Sequence, residues 1–104
     1  MSITHEQVSD LEQKANNIRI DIVKSLAQAG TGHTAGPLGM ADVFTTLYFH
    51  SMRHNPKKPD WERRDRLILS NGHICPVLYA TMAHAGYFPV SDLDTLRVLG
   101  SPLQ

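Results

Sequence analysis

The chain lacks an excess of charge of either sign, a second cysteine and any long apolar run. Ten lysines and arginines balance ten aspartates and glutamates, which gives no electrostatic reason to expect nucleic acid or an anionic membrane as a partner. The single cysteine, Cys75, excludes an intrachain disulfide and suits a reducing cytoplasm. No stretch approaches the ~18 apolar residues of a membrane span, and the first twenty residues hold no apolar core of signal-peptide type. These absences predict a cytoplasmic protein with no nucleic-acid or membrane partner.

What the sequence does contain begins with a long one-sided helix. Thr4 and Gln7 have capping-box spacing, and Gly30 marks the end. Apolar residues recur between them at helical spacing: Val8, Leu11, Ala15, Ile18, Ile22 and Leu26. An irregular loop is predicted over residues 31–39, which hold three glycines and a proline. A second helix is predicted over residues 40–52, buried over much of its girth.

One strand is predicted, at Arg66–Ser70, because this segment is short, apolar and flanked by charge, as buried parallel strands are. The chain then turns into a third helix, which Pro76 opens and Gly86 ends. Ser91 caps a fourth helix, with apolar residues Leu93, Leu96 and Leu99. A single strand has no ladder partner within this chain. The sequence therefore predicts an α/β fold with one clear strand, in which residues 1–104 are the helix-rich, incomplete opening of a parallel-sheet domain.

The glycine loop holds the first candidate site residue, His33. Residues 30–36 are one residue too long for a dinucleotide fingerprint and follow a helix rather than a strand, so a Rossmann fold is rejected. Two interpretations stay open. The glycines relieve backbone strain in an interhelical connection, or the loop lets a ligand approach its backbone and aims His33 inward.

The turn after the predicted strand holds the second candidate, His73. Ligands of open α/β sheets bind just outside the carboxyl ends of the strands. The N-terminus of the following helix attracts anions through its unpaired N–H groups and its dipole. His73 is placed to donate a hydrogen bond to a phosphate oxygen. The alternative is a histidine that caps the helix or satisfies a carbonyl.

Three other patterns carry no predicted site. His50 and His54 have metal-ligand spacing, but Ser51 stands where a zincin motif has glutamate and no third ligand is evident. Cys75 lies near a helix N-terminus without an orienting group, which argues against a nucleophile. The basic residues between 53 and 66 alternate with acidic ones, as on a solvated loop.

Several blocks of the sequence together resemble the beginning of the diphosphate-binding domain of the transketolase family. They run in family order and spacing from about residue 18 to the last residue, which is far more specific than one short motif. The blocks are Gly32-His33, Pro37–Ala41, Asn55-Pro56, Pro59–Trp61, Arg64–His73, Leu78-Tyr79, Gly86-Tyr87, Leu96-Arg97 and Leu99–Ser101.

The resemblance implies thiamine diphosphate-dependent transfer of a two-carbon ketol unit from a ketose phosphate to an aldose phosphate, in the pentose phosphate pathway. The cofactor performs the carbanion chemistry and the protein positions and polarises. By the same resemblance, His33 is catalytic and substrate-binding, in the substrate channel, and His73 contacts the cofactor diphosphate. Thr34 replaces the proline most common after the first histidine, a change that bears on the stiffness of the loop.

The resemblance also implies parts that lie outside this sequence. The family places a third histidine just beyond Gln104, the Mg²⁺ ligands later still, and the glutamate that activates the cofactor in another domain, with an active site formed between two subunits. We therefore expect a truncated or N-terminal-section chain, inactive alone. Its partners would be sugar phosphates and the remainder of the enzyme or a complementary C-terminal subunit, in a homo- or hetero-oligomer. The alternative is a non-catalytic remnant that acts as an interaction module.

Overall fold

The computed structural model describes residues 3–103, and every regular element within them is helical. The α-helices are α1 (His5–Ala29), α2 (Ala35–Gly39), α3 (Ala41–Thr46) and α4 (Cys75–Ala85). A π-helical turn, Leu47–Ser51, continues α3, and 3₁₀ turns cover Gly72–Ile74 and Val90–Thr95. Helix α1 packs against α3, α4 and the last 3₁₀ turn, so it is the element around which the others assemble.

Helix α1 begins and ends where the sequence predicts. The Gln7 amide donates to Thr4 Oγ1 at 3.1 Å, and the Thr4 amide donates to Gln7 Oε1 at 2.9 Å, which completes the capping box. Gly30 adopts the left-handed conformation (φ 74°) that terminates many helices. The predicted apolar stripe is buried from Ala15 to Leu26, but Val8 is 37% exposed. The N-terminal third of α1 therefore extends beyond the core.

The prediction of an irregular loop over residues 31–39 is wrong for its second half, which forms helix α2. Pro37 is the third residue of α2, where a backbone N–H has no intrahelical acceptor in any helix, so proline loses nothing there. The amide of Leu38 donates to Thr34 O at 3.0 Å, and that of Met40 donates to Gly36 O at 3.1 Å. Only residues 31–34 remain outside helices.

The second predicted helix exists, but it is less buried than expected. Helix α3 runs into the π-helical turn, where the Met52 amide donates to Leu47 O at 2.8 Å, five residues back. Ala41, Phe44 and Tyr48 face the core, whereas Val43 is 47% exposed. Burial is therefore one-sided among the described residues, rather than over most of the girth.

The predicted strand at Arg66–Ser70 is wrong, and with it the α/β fold class for the part of the chain that the structure describes. Burial does alternate as in a strand, because Leu67 and Leu69 pack on the core while Ile68 is 88% exposed. However, within residues 3–103 no hydrogen bond is made by the backbone groups of residues 67–69. A strand requires a neighbouring strand to pair with, and residues 3–103 contain no such neighbour for residues 67–69.

Helix α4 closes the core against α1 and α3. It begins with Cys75 and Pro76 and ends at Gly86, as the sequence predicts. Its fully buried residues Val77 and Ala80 join Ile18, Ile22, Phe44 and others in one apolar cluster. On its side, the His84 Nε2 lies 2.5 Å from an Asp21 carboxylate oxygen and ties α4 to α1. None of the described helices combines the length and apolarity needed to cross a bilayer.

The last predicted helix is instead a 3₁₀ turn followed by a loop that returns to the core. The residue before the turn is Pro89, and Ser91 makes no capping bond. Helical backbone ends at Leu96 (ψ 126°), and Arg97 takes a left-handed conformation (φ 63°). The Arg97 amide donates to Leu103 O at 2.8 Å, and the Leu103 side chain is buried. The sequence spacing predicts that Leu99 lies on the apolar face of a helix. The loop closes on Leu103 instead, and Leu99 is 90% exposed.

Candidate functional site

The position of His33 is set by the glycine before it. Gly32 has φ 134°, a conformation that residues with side chains rarely adopt. A Cβ at this position would lie 2.4 Å from Leu26 Cδ2, so the backbone passes directly over the last turn of α1. This close approach brings His33, an exposed residue, to the end of α1.

His73 lies in the 3₁₀ turn that leads into α4. Asn71 Oδ1 accepts a hydrogen bond from the His73 amide at 3.2 Å, and Asn71 O accepts one from the Ile74 amide at 3.2 Å. Asn71 therefore caps the turn. Among residues 3–103, the His73 side chain makes no hydrogen bond, so it neither caps α4 nor satisfies a carbonyl there.

The two histidines meet although forty positions separate them. Their ring centroids are 4.8 Å apart, with a 54° angle between the planes. Helix α2 holds the two loops together, because a Cβ at Gly36 would lie only 2.6 Å from Ile74 Cγ2. Between the loops lies a cavity of about 130 Å³, lined by Leu26, Gly32, His33, Gly72, His73, Cys75, Pro76, Leu96 and Arg97.

The charge of this cavity suits an anion. Its lining contains two imidazoles and one guanidinium, and none of its lining residues is Asp or Glu. A Cβ at Gly72 would meet no atom within 4 Å, so the backbone of this lining residue is open. The cavity therefore combines N–H donors, positive charge and open backbone, which is the set of groups that phosphate recognition uses. These residues fit the anionic end of thiamine diphosphate.

Cys75 lines the same cavity, and Tyr79 follows it one helical turn later in α4. Burial raises the pKa of Tyr79, and a side-chain hydrogen bond with Cys75 raises it further. The Tyr79 hydroxyl is one helical turn from the thiol. Because its pKa lies above the ordinary value of about 10, it cannot serve as a base near neutral pH.

The other histidine pair is engaged elsewhere. His54 Nδ1 lies 2.5 Å from the Tyr87 hydroxyl, and His54 Nε2 lies 2.5 Å from the Tyr48 carbonyl oxygen. Both ring nitrogens are thus occupied by protein groups, while His50 is exposed. Across residues 3–103 the structure places no three His, Cys, Asp or Glu side chains where they could share a metal ion.

Arg97 is the cavity residue to which sequence reasoning gave no role. It falls within a block that carries the family resemblance, but no spacing rule connects it with residues 33 or 73. Its place in the cavity depends on the left-handed turn and on the return of Leu103 to the core. A signal was present in the sequence, because Arg97 is the one basic residue after position 66 other than histidine.

The helices bring His33, His73 and Arg97 to one small cavity whose lining residues include no Asp or Glu. A family model, "Transketolase, thiamine diphosphate binding domain", matches residues 11–103. The chain belongs to this transketolase family of transferase enzymes.

Named relatives agree with the family. The chain is 45% identical over 98 residues to the 6-deoxy-6-sulfo-D-fructose transketolase subunit SqwG of Clostridium sp. (strain MSTE9), covering 94% of this chain and 36% of that protein. It is 44% identical over 96 residues to a transketolase of Scheffersomyces stipitis, covering 90% and 14%. A solved structure, transketolase from Leishmania mexicana, matches with a TM-score of 0.83 and 38% identity over 88% of this chain and 14% of that one. The chain therefore corresponds to a minor part of each relative.

Proposed function

We propose that this chain supplies the cofactor-diphosphate and substrate-channel histidines of a thiamine diphosphate-dependent ketol transferase. One observation carries the proposal: His33 and His73 face one another at 4.8 Å beside an anion-suited cavity, within the segment that matches the family model. Thiamine diphosphate, when bound, would supply the carbanion chemistry that amino-acid side chains lack. The chain's own residues bind the cofactor diphosphate, orient the substrate and move protons.

The two histidines take different roles in this proposal. His73 lies at the entry to α4, where helix N–H groups and dipole favour an anion, so it donates a hydrogen bond to a diphosphate oxygen. His33 lies in the loop directly before α2, whose N-cap is Thr34. It is placed to hydrogen-bond hydroxyl and carbonyl oxygens of a sugar, to stabilise charge that develops there and to relay a proton.

The substrates of the proposed reaction are ketoses and aldoses with an anionic end. A ketose phosphate and an aldose phosphate, as in the pentose phosphate pathway, are the first candidates. The name of the SqwG relative favours a second candidate, a ketose with a sulfonate in place of the phosphate. Sulfonate and phosphate are both tetrahedral anions with acceptor oxygens, and both suit guanidinium and imidazole donors.

The proposed enzyme is completed by groups beyond these residues. Magnesium would neutralise the diphosphate through ligands from outside this chain, and the activating carboxylate would come from another domain. The segment 67–69 provides a physical reason to expect another polypeptide section or subunit, because within residues 3–103 its backbone groups make no hydrogen bond and Ile68 is exposed. We propose a cytoplasmic homo- or hetero-oligomer in which residues 1–104 form part of one thiamine diphosphate-binding domain.

The alternative function is a non-catalytic interaction module. The exposed Ile68 favours it, since such a module needs a docking edge but no histidine pair. A chimera separates the two functions: this chain replaces the matching segment of the Scheffersomyces stipitis transketolase. We expect the chimera to bind thiamine diphosphate and to turn over xylulose 5-phosphate. A chimera that melts like its parent and has the same size in solution yet transfers no ketol unit would contradict the proposed activity and favour the module.

A further inference from the structure

The cavity beside the two histidines contains a cation that has no counterion. Arg97 lines the cavity, and among the residues from 3 to 103 its guanidinium makes no hydrogen bond and no ion pair. Two other arginines are paired: Arg19 with Asp42 at 2.6 Å, and Arg53 with Asp65 at 3.2 Å. No carboxylate lines the cavity to neutralise Arg97.

The backbone of Arg97 is fixed in an unusual conformation. It is the one residue other than glycine with positive φ among the described residues, a conformation that a side chain makes unfavourable. The structure holds it from both sides. Leu96 is buried, the Arg97 amide donates to Leu103 O, and Ser101 Oγ bridges Thr95 O at 2.8 Å and the Leu103 amide at 3.0 Å. Hydrogen bonds of the surrounding backbone therefore hold Arg97 in place beside the cavity.

We propose that Arg97 is the anion anchor of this cavity and binds a phosphoryl group together with His33 and His73. The inference rests on the proposed function and deepens it. A guanidinium matches two oxygens of a phosphoryl group in fork geometry and keeps its charge at every physiological pH. The imidazoles contribute one N–H each in their neutral form. The phosphoryl group has two possible sources, the diphosphate of the cofactor and the phosphate of a sugar.

The test is NMR titration of the purified protein with inorganic diphosphate, followed on the ring protons of His33 and His73. Arg97→Asn removes the charge, and asparagine tolerates positive φ. We expect it to weaken binding roughly 10- to 150-fold, the worth of a lost charge-assisted bond. Arg97→Lys keeps the charge but loses the fork geometry of the guanidinium. Its affinity for inorganic diphosphate should therefore lie between those of the wild-type protein and Arg97→Asn. Should Arg97→Asn lose its fold, Arg97→Gly serves, because glycine adopts this φ freely.

Arg63→Asn is the matched control. Arg63 is exposed, makes no hydrogen bond or ion pair within residues 3–103 and lies outside the cavity. It loses the same charge and should change the affinity by less than about twofold. If Arg63→Asn and Arg97→Asn lose the same amount of affinity for inorganic diphosphate, the effect comes from net charge alone and the anchor role of Arg97 is overturned.

Two further pairs of probes separate the sources. Thiamine diphosphate is compared with thiamine, and fructose 6-phosphate with fructose. If Arg97→Asn weakens the binding of only one of the two phosphorylated compounds, the phosphoryl group of that compound is the one that Arg97 binds. Unchanged binding of all phosphorylated probes overturns the inference and leaves the proposed function intact. If the wild-type protein holds inorganic diphosphate through Arg97 but the chimera with the Scheffersomyces stipitis transketolase neither binds thiamine diphosphate nor transfers a ketol unit, the anchor stands and the proposed function fails. No binding of any phosphorylated probe at millimolar concentration overturns the anchor.

Discussion

Replacing Gly32 by alanine should disturb the fold and the site together. The substitution puts a side chain on backbone with φ 134°, which costs roughly 1–3 kcal/mol. The new Cβ would also lie 2.4 Å from Leu26 Cδ2. This atom is the end of a flexible but buried side chain, so leucine must leave its rotamer, at about 0.5–1.5 kcal/mol. We expect a total loss of roughly 1.5–4.5 kcal/mol in the free energy of unfolding.

The two contributions are separable by a double-mutant cycle. Leu26→Ala alone should cost about 2–5 kcal/mol. In that background Gly32→Ala should cost only the backbone part, because the methyl group that it meets is gone. The expected coupling is about 0.5–1.5 kcal/mol. Gly39→Ala is the matched control, because Gly39 ends helix α2, has no positive φ, and a Cβ added to it would meet no atom within 4 Å. It should be neutral or stabilising by up to about 1 kcal/mol.

The assay is urea unfolding followed by far-ultraviolet circular dichroism, in a fixed concentration of trimethylamine oxide to raise the stability of the folded state. The ring-proton shifts of His33 and His73 provide the site readout, since the rings lie 4.8 Å apart. Gly32→Ala should move them and Gly39→Ala should not. The reasoning is refuted if the two alanine variants are equally stable, or if Gly32→Ala leaves both histidine signals in place.

Three other predictions follow from the site and the core. In the chimeric enzyme, His73→Ala should raise the apparent Kd for thiamine diphosphate and recover with excess cofactor, whereas His33→Ala should lower kcat/KM by roughly 10²–10⁴-fold without recovery; steady-state kinetics across a cofactor titration would show the reverse pattern if the roles are exchanged. The 104-residue chain alone should transfer no ketol unit and bind thiamine diphosphate more weakly than micromolar by calorimetry, and measurable turnover of xylulose 5-phosphate would contradict this. Burial, and then the neighbouring Tyr87, raise the pKa of Tyr48, so the folded state keeps a proton that the unfolded chain releases; stability is full below about pH 10 and falls above it. Tyr48→Phe should therefore move the midpoint of alkaline unfolding, measured by circular dichroism, to higher pH, and an unchanged midpoint would count against the cause.

The features that sequence reasoning predicted correctly are those in which nearby residues decide the structure. The capping box of Thr4 and Gln7, the stop at Gly30 and the proline at the start of α4 all act within one turn of chain. Helix α2 escaped prediction because glycine and proline usually break helices, and its proline occupies a position where no N–H is needed. The segment 66–70 shows the opposite error. Its alternation is real, but pairing is a long-range property that no local pattern contains.

The candidate site divides in the same way. His33 and His73 were each proposed from their own loop, and the resemblance supplied their roles. Their contact depends on α2 seating against Ile74, which spacing alone does not reveal. Arg97 reaches the cavity because Leu103 returns to the core, an event decided by apolar burial several residues away. The His54 contacts with Tyr87 and with Tyr48 were likewise outside any sequence motif.

The unpaired segment 66–70 has a consequence for the life of this polypeptide in a cell. Within residues 3–103 the backbone groups of residues 67–69 make no hydrogen bond and Ile68 is 88% exposed, so this segment offers a template to any extended chain that passes, including a second copy of the same protein. Chaperones and proteases recognise this kind of surface. The abundance of the chain in the cell should then depend on how much of a covering polypeptide is present, because uncovered chain is degraded. Degradation, rather than transcription, would keep two gene products, or two halves of one, at matching levels.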